Sequence, residues 1–85
     1  MSNDKTTVVN TNEINYENIK ETLKEICLDL EERGYSPEKQ IVAYLVSGDP
    51  GFISSYKECR SRIQTFKRED ALGLLLKDFL NKWYI

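Results

Sequence analysis

Residues 33–50 read Arg33-Gly34-Tyr35-Ser36-Pro37-Glu38-Lys39-Gln40-Ile41-Val42-Ala43-Tyr44-Leu45-Val46-Ser47-Gly48-Asp49-Pro50, and this stretch decides the course of the chain. Gly34 stands where a helix arriving from upstream needs a residue tolerant of left-handed dihedrals. Ser36-Pro37 then offers a side-chain cap followed by a proline in the first helical position. One helix ends and another begins within a tight corner. The helix that follows is expected over residues 37–46. It is apolar on nearly every side except Glu38, Lys39 and Gln40, and so reads as the central, buried helix. Ser47-Gly48-Asp49-Pro50-Gly51 is dense in breaker residues, and Asp49 before Pro50 repeats the cap-then-proline signal. A loop there gives way to a short helical turn, from which Phe52 and Ile53 are placed to plug back into the core.

Upstream of the corner, Ile19, Leu23, Ile26, Cys27 and Leu30 recur at spacings of three and four, with Glu17, Lys20, Glu21, Lys24 and Glu25 on the other side. That pattern is an amphipathic helix over residues 15–33. Residues 1–14 are rich in Asn, Thr and Asp with no sustained period and read as a flexible N-terminal tail, its Val8-Val9 pair the only sticky spot. Downstream, a third helix is expected over residues 54–66, with Tyr56, Cys59, Ile63 and Phe66 on one stripe and Lys57, Arg60, Arg62 and Gln64 turned away from it. A last helix over residues 69–83 has acids in its first turn, which suit the helix dipole. Leu72, Leu75, Leu76, Phe79, Leu80 and Trp83 form its broad apolar face, and Leu74 falls nearly opposite.

The expected fold is therefore all-α: a compact bundle of about four to five short helices (residues 15–85) behind a flexible tail (residues 1–14). With 85 residues the core is thin, and self-association is a common remedy. The last helix carries apolar residues on two sides, more than one copy readily covers, so a homodimer through it is expected.

The 40% apolar and 31% charged composition is that of a folded globular domain. Net charge is −2, unevenly spread: residues 1–33 hold eight acids against four bases, residues 34–68 three acids against six bases. No apolar run approaches the roughly 18 residues that span a bilayer, and a cytoplasmic location without membrane insertion is expected. Cys27 and Cys59 fall on apolar helix faces, and with no histidine in the chain they read as reduced core residues rather than metal ligands. No cofactor or metal is expected. Gly48-Asp49-Pro50-Gly51 follows a helix and lacks phosphate-loop spacing, so it reads as a structural turn. The carboxylates of the first helix are spaced as solvated pairs with Lys20 and Lys24. Nothing declares a catalytic residue, and the chain is read as not an enzyme. Lys57, Arg60, Arg62, Lys67 and Arg68 near a helix-turn-helix leave a small nucleic-acid-binding regulator as the alternative, with the acidic total charge against it.

Residues 34–50 closely match the hallmark GYxPxxQIVGYxxSGDP, with Ala43 in place of a glycine, and Tyr56, Arg60, Ile63, Arg68 and the acidic start of the last helix continue the match. On these residues the chain resembles the IreB/ReoM family of small regulatory phosphoproteins. The resemblance implies a helical homodimer acting in cell-wall homeostasis and antibiotic resistance. It implies phosphorylation on a tail threonine by a PASTA-domain Ser/Thr kinase, reversed by a cognate phosphatase. Thr7, followed by Val8, is most similar to the family's acceptor, with Thr6 the competing position and Thr11 nearby. It further implies that the unmodified protein promotes breakdown, by the Clp protease machinery, of the peptidoglycan precursor enzyme that commits UDP-N-acetylglucosamine. Arg60 and Arg68 match basic residues implicated in partner binding, whereas Ser55 and Gln64 replace arginines. No nucleic-acid partner is implied.

Overall fold

The computed structural model describes the backbone of residues 2–84 and the side chains of residues 16–83. Four α-helices and two 3-10 turns follow one another: α1 (Ser2–Glu32), α2 (Pro37–Ser47), turns at Pro50–Phe52 and Tyr56–Glu58, α3 (Cys59–Ile63) and α4 (Arg68–Tyr84). Among the described residues the class is all-α, as read.

The corner is built as its residues dictate. Gly34 adopts φ 86, and the amide of Tyr35 reaches back to the Leu30 carbonyl at 2.9 Å. Ser36 Oγ accepts from the Lys39 amide, with Pro37 in the first helical position. At the other end of α2, Gly48 takes φ 78 and its amide donates to Tyr44 O. Ser47 Oγ donates to Ala43 O and accepts from the Asp49 amide, and Asp49 Oδ1 accepts from the Gly51 amide. Gln40 Oε1 accepts from the Ser54 amide at 2.9 Å and ties the loop back to α2.

The core is one cluster. Ile19, Leu23, Ile26 and Leu30 of α1 meet Ile41, Tyr44 and Leu45 of α2, Ile53, Cys59 and Ile63 of the following segment, and Ala71 of α4. Burying a side chain such as Leu30 or Ile26 stabilises by about 1.5–3 kcal/mol. The central element is α1, which packs on α2, α3 and α4. The expectation of a central α2 is corrected: Val42 and Val46 face outward, because an eleven-residue helix laid along one side of α1 buries a single stripe.

Two further expectations are revised. The third helix is not continuous over residues 54–66, since Lys57 and Glu58 both take left-handed dihedrals (φ 50 and 63) and only Cys59–Ile63 is α-helical. The break lets Ile53 and Cys59 both reach full burial. Phe52, expected in the core beside Ile53, is half exposed.

The helical course of α1 also runs back through residues 2–14, the stretch read as a tail. Once residues 16–32 are held by packing, each added residue is a propagation step rather than a nucleation, and Thr, Val and Asn lower its favour by only a few tenths of a kcal/mol each. The candidate phosphoacceptors Thr6 and Thr7, and Thr11, have side chains outside the described residues.

Candidate functional site

Arg60 and Arg68 lie on different elements. Arg60 is in α3, Arg68 opens α4, and non-helical residues 64–67 separate them. The reason is local: Gln64 caps the end of α3 through Nε2 to Arg60 O, and Thr65 Oγ1 donates to Arg62 O, ending the helix. The two guanidiniums nevertheless act on one segment. Arg60 Nε donates to Ile53 O at 2.8 Å, and Arg68 Nη1 donates to Leu45 O at 3.1 Å. Leu45 O belongs to the last turn of α2, where carbonyls lack helical partners and the dipole favours a cation. Both residues remain exposed, and each of these bonds takes one of the five N–H donors of a guanidinium. The arginines thus bracket residues 45–53 while keeping donors at the surface.

Two further cations of the basic zone, Arg62 and Lys57, are engaged within the chain. Arg62, expected to turn away from the core, pairs with Asp29 and Glu25 of α1, and its Nε is buried without an acceptor among the described residues. Lys57 Nζ lies 2.9 Å from Glu32 Oε1 and 3.9 Å from Asp29 Oδ1. Its hydrogen bond with Glu32 raises its pKa further above the ordinary lysine value. Arg33 and Lys57 also flank the Tyr56 ring, 5.3 and 5.6 Å from its centre. A nucleic-acid-binding face would need these cations outward, and two of the five named for that role are held by α1 acids. Sequence reasoning passed over the Asp29–Arg62 pair, although an acid set between Ile26 and Leu30 at the edge of the apolar stripe was its signal.

The second surface is the outer side of α4. Ala71 is fully buried and Leu74 packs against the core, while Leu72, Leu75, Leu76, Phe79 and Trp83 are roughly half exposed or more. Of the two apolar sides read from the sequence, the one carrying Ala71 and Leu74 meets the core, the small Ala71 allowing close approach. Tyr16 Oη would lie 3.5 Å from a Cβ at Gly73, and Lys77 Nζ sits 5.3 Å from the Tyr16 ring centre. Beside this face, Leu23, Cys27, Leu28, Leu74 and Leu75 line an apolar groove between α1 and α4. Burial there, with Glu31 nearby, raises the Cys27 thiol pKa and keeps it in the unreactive protonated form. Cys59 is fully buried.

A third feature is a trough on the Arg68 side. Tyr44, Leu45, Phe66, Lys67, Arg68, Glu69 and Leu72 line one part of it. Phe66 and Lys67 are shared with an adjoining hollow that reaches Asn18, Ile19 and Thr22 of α1.

Among the described residues no group of three or more metal-ligating side chains is assembled, and no helix is long and apolar enough to cross a membrane. The arrangement offers bracketing guanidiniums, an uncovered apolar helix face and a basic trough, all of them means of contact. A family model described as IreB regulatory phosphoprotein matches residues 4–81, from the start of α1 through most of α4.

Proposed function

Because the chain belongs to the IreB family of regulatory phosphoproteins, we propose that it is a non-enzymatic adaptor. In this reading a PASTA-domain Ser/Thr kinase modifies Thr7, or Thr6, and a cognate phosphatase reverses the mark. The unmodified protein directs the committed-step enzyme of peptidoglycan precursor synthesis to the Clp protease machinery, and phosphorylation relieves that effect.

The observation that carries the reading is the disposition of the arginines. Arg60 and Arg68 are fixed by backbone carbonyls on either side of residues 45–53 and still exposed, so their free donors present carboxylate-binding geometry at low entropic cost. The uncovered α4 face supports a homodimer through Leu72, Leu76 and Phe79. The N-terminal threonines precede the Ile19–Leu30 core stripe of α1 in the sequence, and a phosphate there adds up to two negative charges and three strong acceptors.

The reading is tested by reconstituted proteolysis of the precursor enzyme with purified Clp components. Degradation should accelerate with the unmodified chain, and fall back with the Thr7-phosphorylated chain and with Arg60→Ala/Arg68→Ala. Equal degradation with and without the chain would overturn it.

A further inference from the structure

Resting on the phosphothreonine reading, we infer that the trough beside Arg68 is the docking site for the chain's own phosphorylated N-terminal segment, with the Thr7 phosphate on Lys67 and Arg68 and Val8-Val9 against Phe66 and Leu72.

Three observations converge. The first is continuity: the hollow lined by Asn18, Ile19 and Thr22 runs through Phe66 and Lys67 into the trough that ends at Arg68 and Leu45. Its α1 end lies within one turn of Tyr16. Thr7 stands nine positions before Tyr16, a reach of up to about 30 Å when extended, so a segment leaving the helix near Tyr16 has chain enough to return along the trough.

The second is chemical match. The wall offers two cations, Lys67 and Arg68, against one acid, Glu69, with Asp70 on the adjoining hollow. Phe66 is partly buried and Leu72 half exposed, which leaves apolar surface beside the cations. Once Thr7 is phosphorylated, Thr7-Val8-Val9 sets an anion beside two apolar side chains, the complement of that wall. Arg68 is already oriented by Leu45 O, so little side-chain entropy is lost on meeting a phosphate.

The third is the ease of the change. Thr6-Thr7-Val8-Val9-Asn10-Thr11-Asn12 is drawn entirely from the weaker half of the helix-propensity scale, so giving up a helical course there costs little. The segment is a two-state element that a local charge can bias. Docking would cover Arg68 and withdraw it from an external partner, joining the modification to the surface it regulates.

The test uses the full chain with phosphothreonine installed at position 7 by genetic encoding, which removes dependence on which threonine a kinase selects. Amide resonances of residues 66–69 and Leu72 should shift on phosphorylation. The phosphate's second pKa, read by 31P titration, should fall below its ordinary value of about 6. Lys67→Gln and Val8→Ser, which leave the Arg68–Leu45 bond in place, should each diminish both effects. Shifts confined to residues 2–15, with an unperturbed phosphate pKa, would overturn the docking while leaving Thr7 a phosphoacceptor. A kinase that modifies neither Thr6 nor Thr7 would instead remove the functional reading without altering what the encoded phosphate shows.

Discussion

The guanidinium of Arg68 lies against Gly48 so closely that a Cβ at that glycine would stand 2.8 Å from Arg68 Cζ. Gly48 is thus fixed twice, by its φ of 78 and by the arginine above it, whereas Gly34, with φ 86, has nothing within 4 Å of its Cβ position. Gly34→Ala should cost about 1–2 kcal/mol from the left-handed backbone alone. Gly48→Ala should cost about 1 kcal/mol more, as Arg68 swings off Leu45 O. Urea unfolding checks both, and in an Arg68→Ala background the excess at Gly48 should vanish.

Glu58 holds φ 63 and its side chain makes no capping bond, so its conformation is imposed by the burial of Ile53 and Cys59 on either side. Glu58→Gly should stabilise by about 0.5–1 kcal/mol. Lys57→Gly should give no such gain despite φ 50, because the ion pairs to Glu32 and Asp29 are lost with it. Paired urea melts of the two variants make the comparison.

The Asp29–Arg62 pair joins α1 to α3, with side chains 22% and 28% exposed. That places it between a solvated pair worth under about 1 kcal/mol and a fully buried one. Arg62→Ala should destabilise by about 2 kcal/mol, and a double-mutant cycle with Asp29→Ala should show a coupling of about 1 kcal/mol. Additive single-variant effects would mean that the pair contributes packing only.

Covering the α4 face should require a second copy. Light scattering at micromolar concentration should give about twice the 9.9 kDa chain mass, and a melting temperature that rises with concentration. Leu76→Glu and Phe79→Glu, at positions 58% and 54% exposed, should yield folded monomers. A wild-type chain of single mass would remove the dimer.

The corner at residues 33–37 and the Ser47–Gly51 loop were legible because caps, prolines and left-handed glycines act over a few residues. The α1 stripe was legible because one period ran unbroken from Ile19 to Leu30. What the sequence concealed was tertiary in origin. Lys57 and Glu58 carry no local signal for positive φ. The α4 pattern announced apolar residues on both sides but not that Ala71 and Leu74, rather than the larger leucines, would meet α1. Arg60 and Arg68 stood out through the family motif, and the expected break between residues 66 and 69 already set them apart, while their backbone partners depended on the tertiary course of the chain. Arg62 was misassigned because its partner lies thirty-three positions upstream.

A phosphorylation switch upstream of the Ile19–Leu30 stripe requires a modified tail threonine, and the decisive measurement is phosphosite mass spectrometry after incubation with a purified PASTA-kinase catalytic domain, comparing wild type with Thr6→Ala and Thr7→Ala. Stoichiometric modification of the wild type should persist in Thr6→Ala and be lost in Thr7→Ala. Absence of modification at every threonine from Thr6 to Thr11 would contradict the switch.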